Sequence, residues 1–244
     1  IHLKLDTGMH RLGFEEHQLN QLIEILKAQP EIRIKSVYSH LVEAENSYDK
    51  RFSSHQILSF KKAVNKLSAE LNYGFDTHIQ NSAGIVQFGD INCSMVRLGI
   101  GMYGISPMAA IQPQLSPVLE WYSTISQIKS IDKGQSIGYN RSFVAKQPMK
   151  IATIPVGYAD GLRRSLSNEV GQLFVHGKAC PIVGKVCMDM VMIDITSVAC
   201  SVGDEVEIIG PHQSIDTFAR LIDTIPYEVM TSIAPRVHRL YVEK

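Results

Sequence analysis

The sequence predicts two structural halves, an α/β half followed by an all-β half. Up to about Gly104, strand-like runs alternate with segments in which apolar residues recur at helical spacing. Beyond that point, short strand-like runs follow one another and are separated by turn residues. The chain has 244 residues, of which 45% are hydrophobic, so it is long enough for one large or two modest domains with a sizeable core.

The elements of the α/β half follow in order from the N-terminus. Residues 1–5 form a strand-like run, and helically spaced apolar residues from Leu19 to Leu26 predict a helix that Pro30 ends. Further on, the predicted elements are a β-rich run at 32–38, a long amphipathic helix at 57–71, a strand at 75–79, a short helix at 83–88 and a strand at 95–98. This order favours parallel strands with right-handed crossovers, as in half of an eight-stranded barrel or in a small open sheet.

The all-β half begins after a linker that contains Pro107, Pro113 and Pro117. Its predicted strands are residues 119–131, 150–156, 172–175, 179–186, 191–195 and 205–209. Turn residues bound these short runs, which favours an antiparallel arrangement.

A short helix follows the last of these strands. It is predicted from Ile215 to about Ile222, with Ser214 as its N-cap. The sequence shows no internal repeat and no low-complexity segment. Because the pattern changes at the proline-containing linker, the domains are predicted at residues 1–112 and 113–244.

Composition restricts the possible partners of the chain. Lysine plus arginine and aspartate plus glutamate both number 24, so there is no basic surplus to bind nucleic acid. No apolar run is long enough to span a membrane. The four cysteines are far apart and lack metal-ligand spacing, which indicates reduced, mostly buried thiols and a cytoplasmic location. They are Cys93, Cys180, Cys187 and Cys200.

Several residues of the α/β half lie at the ends of predicted strands, where barrels of parallel strands carry their reactive groups. They are Lys4, His40, His78, Asn81, Ser82, Arg97 and Gly99. Each histidine is open to three interpretations: a metal ligand, part of an organic-cofactor site, or a structural residue held by hydrogen bonds. No H-x-H or H-E-x-x-H pattern supplies a third ligand, so no metal site is predicted.

A glycine-rich turn follows the last predicted strand of this half. In Gly99-Ile100-Gly101, small residues let backbone N–H groups approach an anion, and barrels often bind phosphate after their last two strands. Glycines at this position more often form a plain turn, so the pattern by itself is a weak indication of a phosphate site.

Three tyrosines of the all-β half lie in loops or at strand ends. Tyr139 lies in a loop, Tyr158 at the end of a strand and Tyr227 in the segment Ile-Pro-Tyr-Glu. A tyrosine acts as a general acid or base when a nearby cation lowers its pKa or a partner couples to its proton. For any one of them, packing plus one hydrogen bond is the commoner role. Composition and periodicity thus identify no reaction.

Eight motifs, taken in one order along nearly the whole chain, resemble those of alanine racemases. In the α/β half they are His2 to Gly13 (HLKLDTGMHRLG), Ser39-His40, His78 to Ala83 (HIQNSA) and Met95 to Gly104 (MVRLGIGMYG). In the all-β half they are Gly138-Tyr139, Pro155 to Gly161 (PVGYADG), Val186 to Met190 (VCMDM) and Ile225 to Glu228 (IPYE). Eight motifs in order are far more specific than any one of them.

The resemblance implies a fold, a cofactor and a reaction. Such bacterial, cytoplasmic enzymes have an N-terminal (β/α)₈ TIM-type barrel and a C-terminal β domain. They form a head-to-tail homodimer in which each active site combines the barrel of one subunit with the β domain of its partner. With pyridoxal 5′-phosphate (PLP), they interconvert L-alanine and D-alanine for peptidoglycan synthesis. Residues 1–112 then correspond to the later strands of the barrel only.

The resemblance also implies a role for each matching residue. Tyr139 is the general acid/base on one face of the substrate. Arg97 contacts the pyridine nitrogen of PLP, and His40 backs the ring. The phosphate is held by Ser82, Gly99, Ile100 and Tyr227. The substrate carboxylate meets Arg11 and the backbone N–H of Met188, and Tyr158 lines the entrance. Lys4 occupies a position that is often carbamylated and that orients Arg11.

Racemisation gives these roles a physical reason. The Cα proton must leave from one face and return on the other, so two bases must flank a planar carbanion that the cofactor stabilises. A guanidinium such as that of Arg97 stays protonated and leaves the pyridine nitrogen unprotonated. The ring is then a weaker electron sink, and side reactions such as transamination are suppressed.

Two departures from the family pattern stand out. His10 replaces the glycine that usually precedes Arg11, which we expect to alter a turn without removing a catalytic group. The lysine that binds PLP covalently belongs to a Lys-Ala-Asn-Ala-Tyr-Gly-like motif near the start of the barrel, and no such motif occurs here. We therefore expect an N-terminal segment of a longer parent protein to supply it, and these residues alone to be inactive.

Two other interpretations remain open. One is a non-catalytic cofactor-binding or dimerisation module derived from the racemase fold, although such a module would not need Tyr139, Arg97 and His40. The other is a related PLP-dependent amino-acid decarboxylase, in which an acidic residue replaces Arg97 at the pyridine nitrogen. Serine in place of alanine as the substrate would need only modest changes around the substrate methyl group.

Overall fold

The computed structural model describes residues 1–243, which fold as two compact units. The first unit is Ile1–Val118 and the second begins at Leu119, a few residues beyond the division at 112/113 expected from the sequence. Among the described residues, no helix is long and apolar enough to cross a lipid bilayer.

The first unit is built on a parallel sheet of three short strands. They are β1 (His2–Lys4), β2 (Ser36–Tyr38) and β3 (Asp76–His78), in that order across the sheet. Val37 of the central strand pairs with Leu3 on one side and Thr77 on the other, and its side chain is fully buried. The predicted parallel arrangement is confirmed.

Three helices pack in this unit: α1 (Leu19–Ala28), α2 (Arg51–Leu71) and α3 (Ser82–Phe88). The apolar face of α1 is buried, as its spacing predicted. The long helix α2 buries Ile57, Phe60 and Leu67 in the same core. Asn81 caps α3, since its side chain accepts a hydrogen bond from the backbone N–H of Gly84 (2.9 Å).

The strand predicted at 95–98 is wrong, because this segment is irregular. It makes two backbone hydrogen bonds near β3, from Met95 N–H to the carbonyl of Thr77 (3.3 Å) and from Arg97 N–H to the carbonyl of Gln80 (3.0 Å). The side-chain oxygen of Ser94 accepts the N–H of Thr77 (3.0 Å) in place of a backbone partner. A side chain thus interrupts the ladder that a fourth strand would need.

The second unit is antiparallel, as predicted. Its strands are β4 (Trp121–Thr124), β5 (Gln127–Ile131), β6 (Ser136–Ile137), β7 (Phe143–Val144), β8 (Met149–Ile154), β9 (Gln172–Val175), β10 (Lys178–Pro181), β11 (Val191–Asp194) and β12 (Glu205–Ile209). They form a four-stranded sheet in the order β10-β9-β12-β4, a three-stranded sheet in the order β11-β8-β5, and the hairpin β6-β7.

One predicted strand is divided in two, and another ends well before its predicted end. The run at 119–131 splits into β4 and β5 because Ile125 N–H bonds to Asp204 while Ser126 N–H bonds to Thr153, so its two parts join different sheets. The run at 179–186 ends at Pro181. Beyond it, Gly184 takes a left-handed conformation (φ 73°) that a regular strand does not allow.

Two helices complete the second unit, α4 (Ile215–Leu221) and α5 (Pro226–Ser232). Ser214 caps α4 by accepting the N–H of Thr217 (3.2 Å), as predicted. The sequence analysis did not predict α5, although a proline at the first helical position followed by Glu228 in the first turn is a recognisable start signal.

All four cysteines are free. Only Cys180 is fully buried, and burial raises the pKa of its thiol to about 11.

Candidate active site

Arg97 lies at the carboxyl end of the parallel sheet, where β2 and β3 end. Its Nη2 donates to the carbonyl oxygens of Ser39 (2.7 Å) and Ile79 (3.2 Å) and lies 3.0 Å from Nδ1 of His40. Its Nη1 lies 2.5 Å from Nδ1 of His78. Among the described residues, no partner takes a hydrogen bond from Nε of Arg97. The guanidinium is therefore fixed through both terminal nitrogens and keeps one donor free.

His78 connects Arg97 to a chain of polar side chains. Its Nε2 lies 3.2 Å from the hydroxyl of Ser36, which in turn lies 2.7 Å from Nδ1 of His2. Arginine can only donate, so Nδ1 of His78 accepts from it. The N–H of His78 is therefore at Nε2, which donates a hydrogen bond to the hydroxyl of Ser36. The ring of Tyr38 stacks on the His78 ring at 5.0 Å. The sequence placed His78 at a strand end without assigning it a role at Arg97.

The positive charges of three residues act on the imidazole of His40. Burial is the first cause that lowers its pKa, and the positive charges of Arg97, Arg11 and Lys4 follow in that order. Burial, followed by the charge of Arg97, also lowers the pKa of His78. Burial lowers the pKa of Arg97 as well, but a guanidinium remains protonated near neutral pH. Arg97 thus lies against His40, and the positive charges of Arg11 and Lys4 also act on this imidazole, an arrangement suited to an anionic or electron-rich ligand.

A compact loop after β1 carries Arg11. One carboxylate oxygen of Asp6 accepts the backbone N–H groups of Gly8 (2.9 Å), Met9 (3.0 Å) and His10 (3.0 Å). Burial tends to raise the pKa of Asp6, but these donors and the charge of His10 outweigh it and lower the pKa below the ordinary value. The loop returns to the end of β1, where Phe14 N–H bonds to the carbonyl of Lys4 (2.9 Å).

His10 adopts a left-handed backbone conformation, with φ of 52°. Glycine adopts this conformation without steric cost, which gives a physical reason for the glycine that the resemblance implies at this position. We expect His10→Gly to raise the free energy of unfolding by about 0.5–1 kcal/mol, because it relieves Cβ strain that exceeds the entropy lost by glycine. Urea unfolding measures the change as a higher midpoint with an unchanged slope.

Asn72→Gly is the matched control for His10→Gly. Asn72 follows α2 with φ of 53°, nearly the same conformation. Asparagine tolerates the left-handed region better than most residues, so we expect a smaller gain there. A His10→Gly variant no more stable than the control variant would contradict the strain argument.

Ser82 contacts the glycine-rich turn, which brings together two parts of the predicted phosphate site. The hydroxyl oxygen of Ser82 accepts the backbone N–H groups of Gly99 (2.9 Å) and Gly101 (3.3 Å). Within residues 1–243, no acceptor is found for the hydrogen of that hydroxyl. The side chain of Ile100 is buried, so this residue offers only its backbone to a ligand. A Cβ on Gly101 would lie 3.0 Å from Leu98 and 3.6 Å from the Ser82 oxygen.

The other expected residues lie in the second unit. Tyr139 stands at the tip of the β6-β7 hairpin, after Gly138 with φ of 75°, and 66% of its surface is exposed. Asn140 and Arg141 continue the turn with positive φ values. Within the described chain, the Tyr139 hydroxyl has no hydrogen-bond partner. Its phenol is therefore presented to the outside of the unit by a defined turn.

Tyr158 and Met188 lie next to each other. The N–H of Tyr158 bonds to the carbonyl of Cys187 (3.0 Å), and that of Ala159 to the carbonyl of Met188 (2.9 Å). Tyr227 lies in the first turn of α5. All three tyrosines and Met188 are exposed. In the part of the chain that the structure describes, no group of three or more histidine, cysteine, aspartate or glutamate side chains is arranged to hold a metal ion.

Comparison with known proteins agrees with the motifs. The family model for the alanine racemase N-terminal domain matches residues 1–107, and that for the alanine racemase C-terminal domain matches residues 118–241. Alanine racemase 2 of Caldanaerobacter subterraneus subsp. tengcongensis is 38% identical over 250 residues, covering 99% of this chain and 64% of that protein.

Solved structures show the same fold. Alanine racemase from Bartonella henselae with covalently bound pyridoxal phosphate has a TM-score of 0.87 and 34% identity, covering 98% of this chain and 66% of that one. The Bacillus anthracis enzyme with bound L-Ala-P has a TM-score of 0.88 and 33% identity, covering 97% and 62%. The chain spans 62–66% of the length of the curated relatives that it matches. The chain belongs to the alanine racemase family.

Proposed function

We propose that the full-length protein containing this chain is a PLP-dependent racemase that interconverts L-alanine and D-alanine. The observation that carries the proposal is the environment of Arg97, a guanidinium fixed by two neutral histidines and three carbonyls with its Nε left free. Family membership and relatives named alanine racemase support the same reaction. The pyridoxal phosphate bound in the Bartonella enzyme supports PLP as the cofactor, and the L-Ala-P bound in the Bacillus enzyme supports an alanine-like ligand.

The residues of the first unit fit PLP. The free Nε–H of Arg97 is a donor suited to the pyridine nitrogen, and His40 would back the ring. Ser82, Gly99 and Ile100 would hold the phosphate, since the Ser82 hydroxyl has a hydrogen left to donate and Gly101 leaves the turn without a Cβ. Tyr227 of α5 would contribute its phenol to the same phosphate. When bound, PLP supplies a conjugated ring that accepts electron density from Cα.

The chain's own groups would then bind the amino acid and move its proton. Arg11 and the backbone N–H of Met188 would hold the substrate carboxylate, with Lys4, carbamylated as in the family pattern, orienting Arg11. Tyr158 would line the entrance. The phenol of Tyr139 would exchange the Cα proton on one face. Because Arg97 stays protonated, the ring nitrogen would remain unprotonated, which favours return of the proton over transamination.

The assembly and setting belong to the same proposal. Residues 1–112 would be the later part of a TIM-type barrel, and sites would be shared between the two subunits of a homodimer. An exposed Tyr139 at a hairpin tip supports a role toward a partner surface. D-Alanine for bacterial peptidoglycan would be the product, made in the cytoplasm, and four free cysteines are consistent with a reducing compartment.

The test uses the full-length protein purified with PLP. L-Alanine is added in D₂O, and chiral chromatography and mass spectrometry follow D-alanine and deuterium at Cα. We expect both to appear, with serine slower than alanine in an amino-acid panel. The proposal fails if a protein with the absorbance of bound PLP releases carbon dioxide from amino acids, or binds PLP and exchanges no Cα proton. Those two outcomes would favour the decarboxylase and the non-catalytic module, respectively.

A further inference from the structure

Two segments that carry Tyr158 and Met188 pack backbone against backbone. The turn at residues 157–160 meets the turn at 187–188 so closely that a Cβ on Gly157 would lie 2.4 Å from the carbonyl oxygen of Cys187 and 2.5 Å from that of Met188. Two hydrogen bonds, from the N–H groups of Tyr158 and Ala159, join the turns. The spacing of Tyr158 and Met188 therefore depends on the shape of the first turn.

A buried carboxylate holds that turn in shape. One oxygen of Asp160 accepts the backbone N–H of Gly157 (2.8 Å), and the other accepts Nε of Arg236 (2.7 Å). Asp160 is only 9% exposed, so its charge is largely out of water and needs this cationic partner. The hydrogen bond to Asp160 is the first cause that raises the pKa of Arg236. The charge of Asp189, next to Met188, contributes as well.

Arg236 also links the turn to the segment that follows α5. The N–H of Ala234 bonds to the carbonyl of Asp160 (3.0 Å). At the other end of α5, Arg163 forms an ion pair with Glu228, the neighbour of Tyr227. Residues 157–163 thus join three places that carry expected site residues: Tyr158 itself, Met188, and the first turn of α5.

We propose that Asp160 and Arg236 are positioning residues that hold Tyr158 and the backbone N–H of Met188 in register for the substrate carboxylate. This role rests on the proposed function. Asp160 is buried and cannot itself reach a substrate at the surface, so it acts through the two turns. Because the Met188 N–H would bind the carboxylate equally in the ground state and the transition state, loss of register raises KM more than it lowers kcat.

The test compares Arg236→Gln and Arg236→Lys in the full-length PLP-loaded protein. Arg220→Gln is the control, since Arg220 is an exposed arginine at the end of α4. For Arg236→Gln we expect KM for alanine to rise about tenfold, with kcat within about threefold of wild type. Arg236→Lys keeps the charge and one donor, so we expect it to restore most of the affinity. The control keeps wild-type KM.

Hydrogen exchange with residue resolution supplies a readout independent of activity. In Arg236→Gln, the amides of Tyr158 and Ala159 should exchange at least about tenfold faster, while amides of β9 and β12 keep their wild-type rates. An unchanged KM, or exchange that rises equally in β9 and β12, overturns the proposal, because the pair would then serve stability alone. If the wild-type protein does not racemise alanine, the proposed function fails. The exchange data then decide separately whether the pair holds the two turns.

Discussion

Tyr139→Phe is expected to lower kcat for alanine racemisation by about 10²- to 10⁴-fold in the full-length protein, the usual contribution of a general acid/base. Phenylalanine keeps the ring and removes only the hydroxyl that would carry the proton. Tyr139 is 66% exposed, and no described residue bonds to its hydroxyl, so the free energy of unfolding should change by less than about 0.5 kcal/mol. Steady-state kinetics in both directions and thermal unfolding measure the two effects.

Tyr122→Phe is the matched control for this variant. Tyr122 lies in β4 of the same unit and donates its hydroxyl to Glu120 (3.1 Å), and it belongs to none of the family motifs. We expect wild-type kcat for it. A Tyr139→Phe protein that retains more than about a tenth of wild-type kcat would rule out the phenol as the general acid/base.

Arg97→Met is expected to lower kcat by about 10²- to 10³-fold, as does loss of one preorganised charged donor at a reacting group. It should also lower the free energy of unfolding by about 2–4 kcal/mol, since buried and partly buried acceptors would lose their donor. These acceptors are the carbonyls of Ser39, His78 and Ile79 and Nδ1 of His40 and His78.

The same variant has a spectroscopic readout in the two imidazoles. The charge of Arg97 is the second cause, after burial, that lowers the pKa of both His40 and His78. In Arg97→Met we therefore expect both pKa values to rise toward 6.5, the ordinary histidine value, as measured by NMR titration. Both rings would then take up their protons at a higher pH than in the wild-type protein.

Arg33→Met serves as the control for Arg97→Met. The guanidinium carbon of Arg97 lies 5.6 Å from the Tyr38 ring centre, and that of Arg33, outside the candidate site, lies 5.0 Å from the Tyr73 ring centre. We expect wild-type kcat and unchanged titration of His40 and His78. Unchanged titration in Arg97→Met itself would mean that the guanidinium does not act on these histidines.

The candidate site was partly readable from the sequence. Lys4, His40 and Arg97 were predicted at strand ends, and in the structure Arg97 contacts His40, whose pKa the charges of Arg11 and Lys4 also lower. The tie between His78 and Arg97 was not readable, because a strand-end histidine has many possible partners. Nor was the pair of Asp160 and Arg236, whose residues are 76 positions apart.

Local patterns in the sequence were enough to determine α1, α2, the cap at Ser214, the antiparallel character of the second unit and the family itself. Apolar periodicity specifies which face of an element is buried, and that face is the same in any fold that buries it. Only the tertiary structure decided that residues 95–98 form no strand, that residues 119–131 serve two sheets, and that Arg97 binds two histidines. Each of these depends on which distant backbone or side-chain group supplies the hydrogen-bond partner, and periodicity carries no information about that choice.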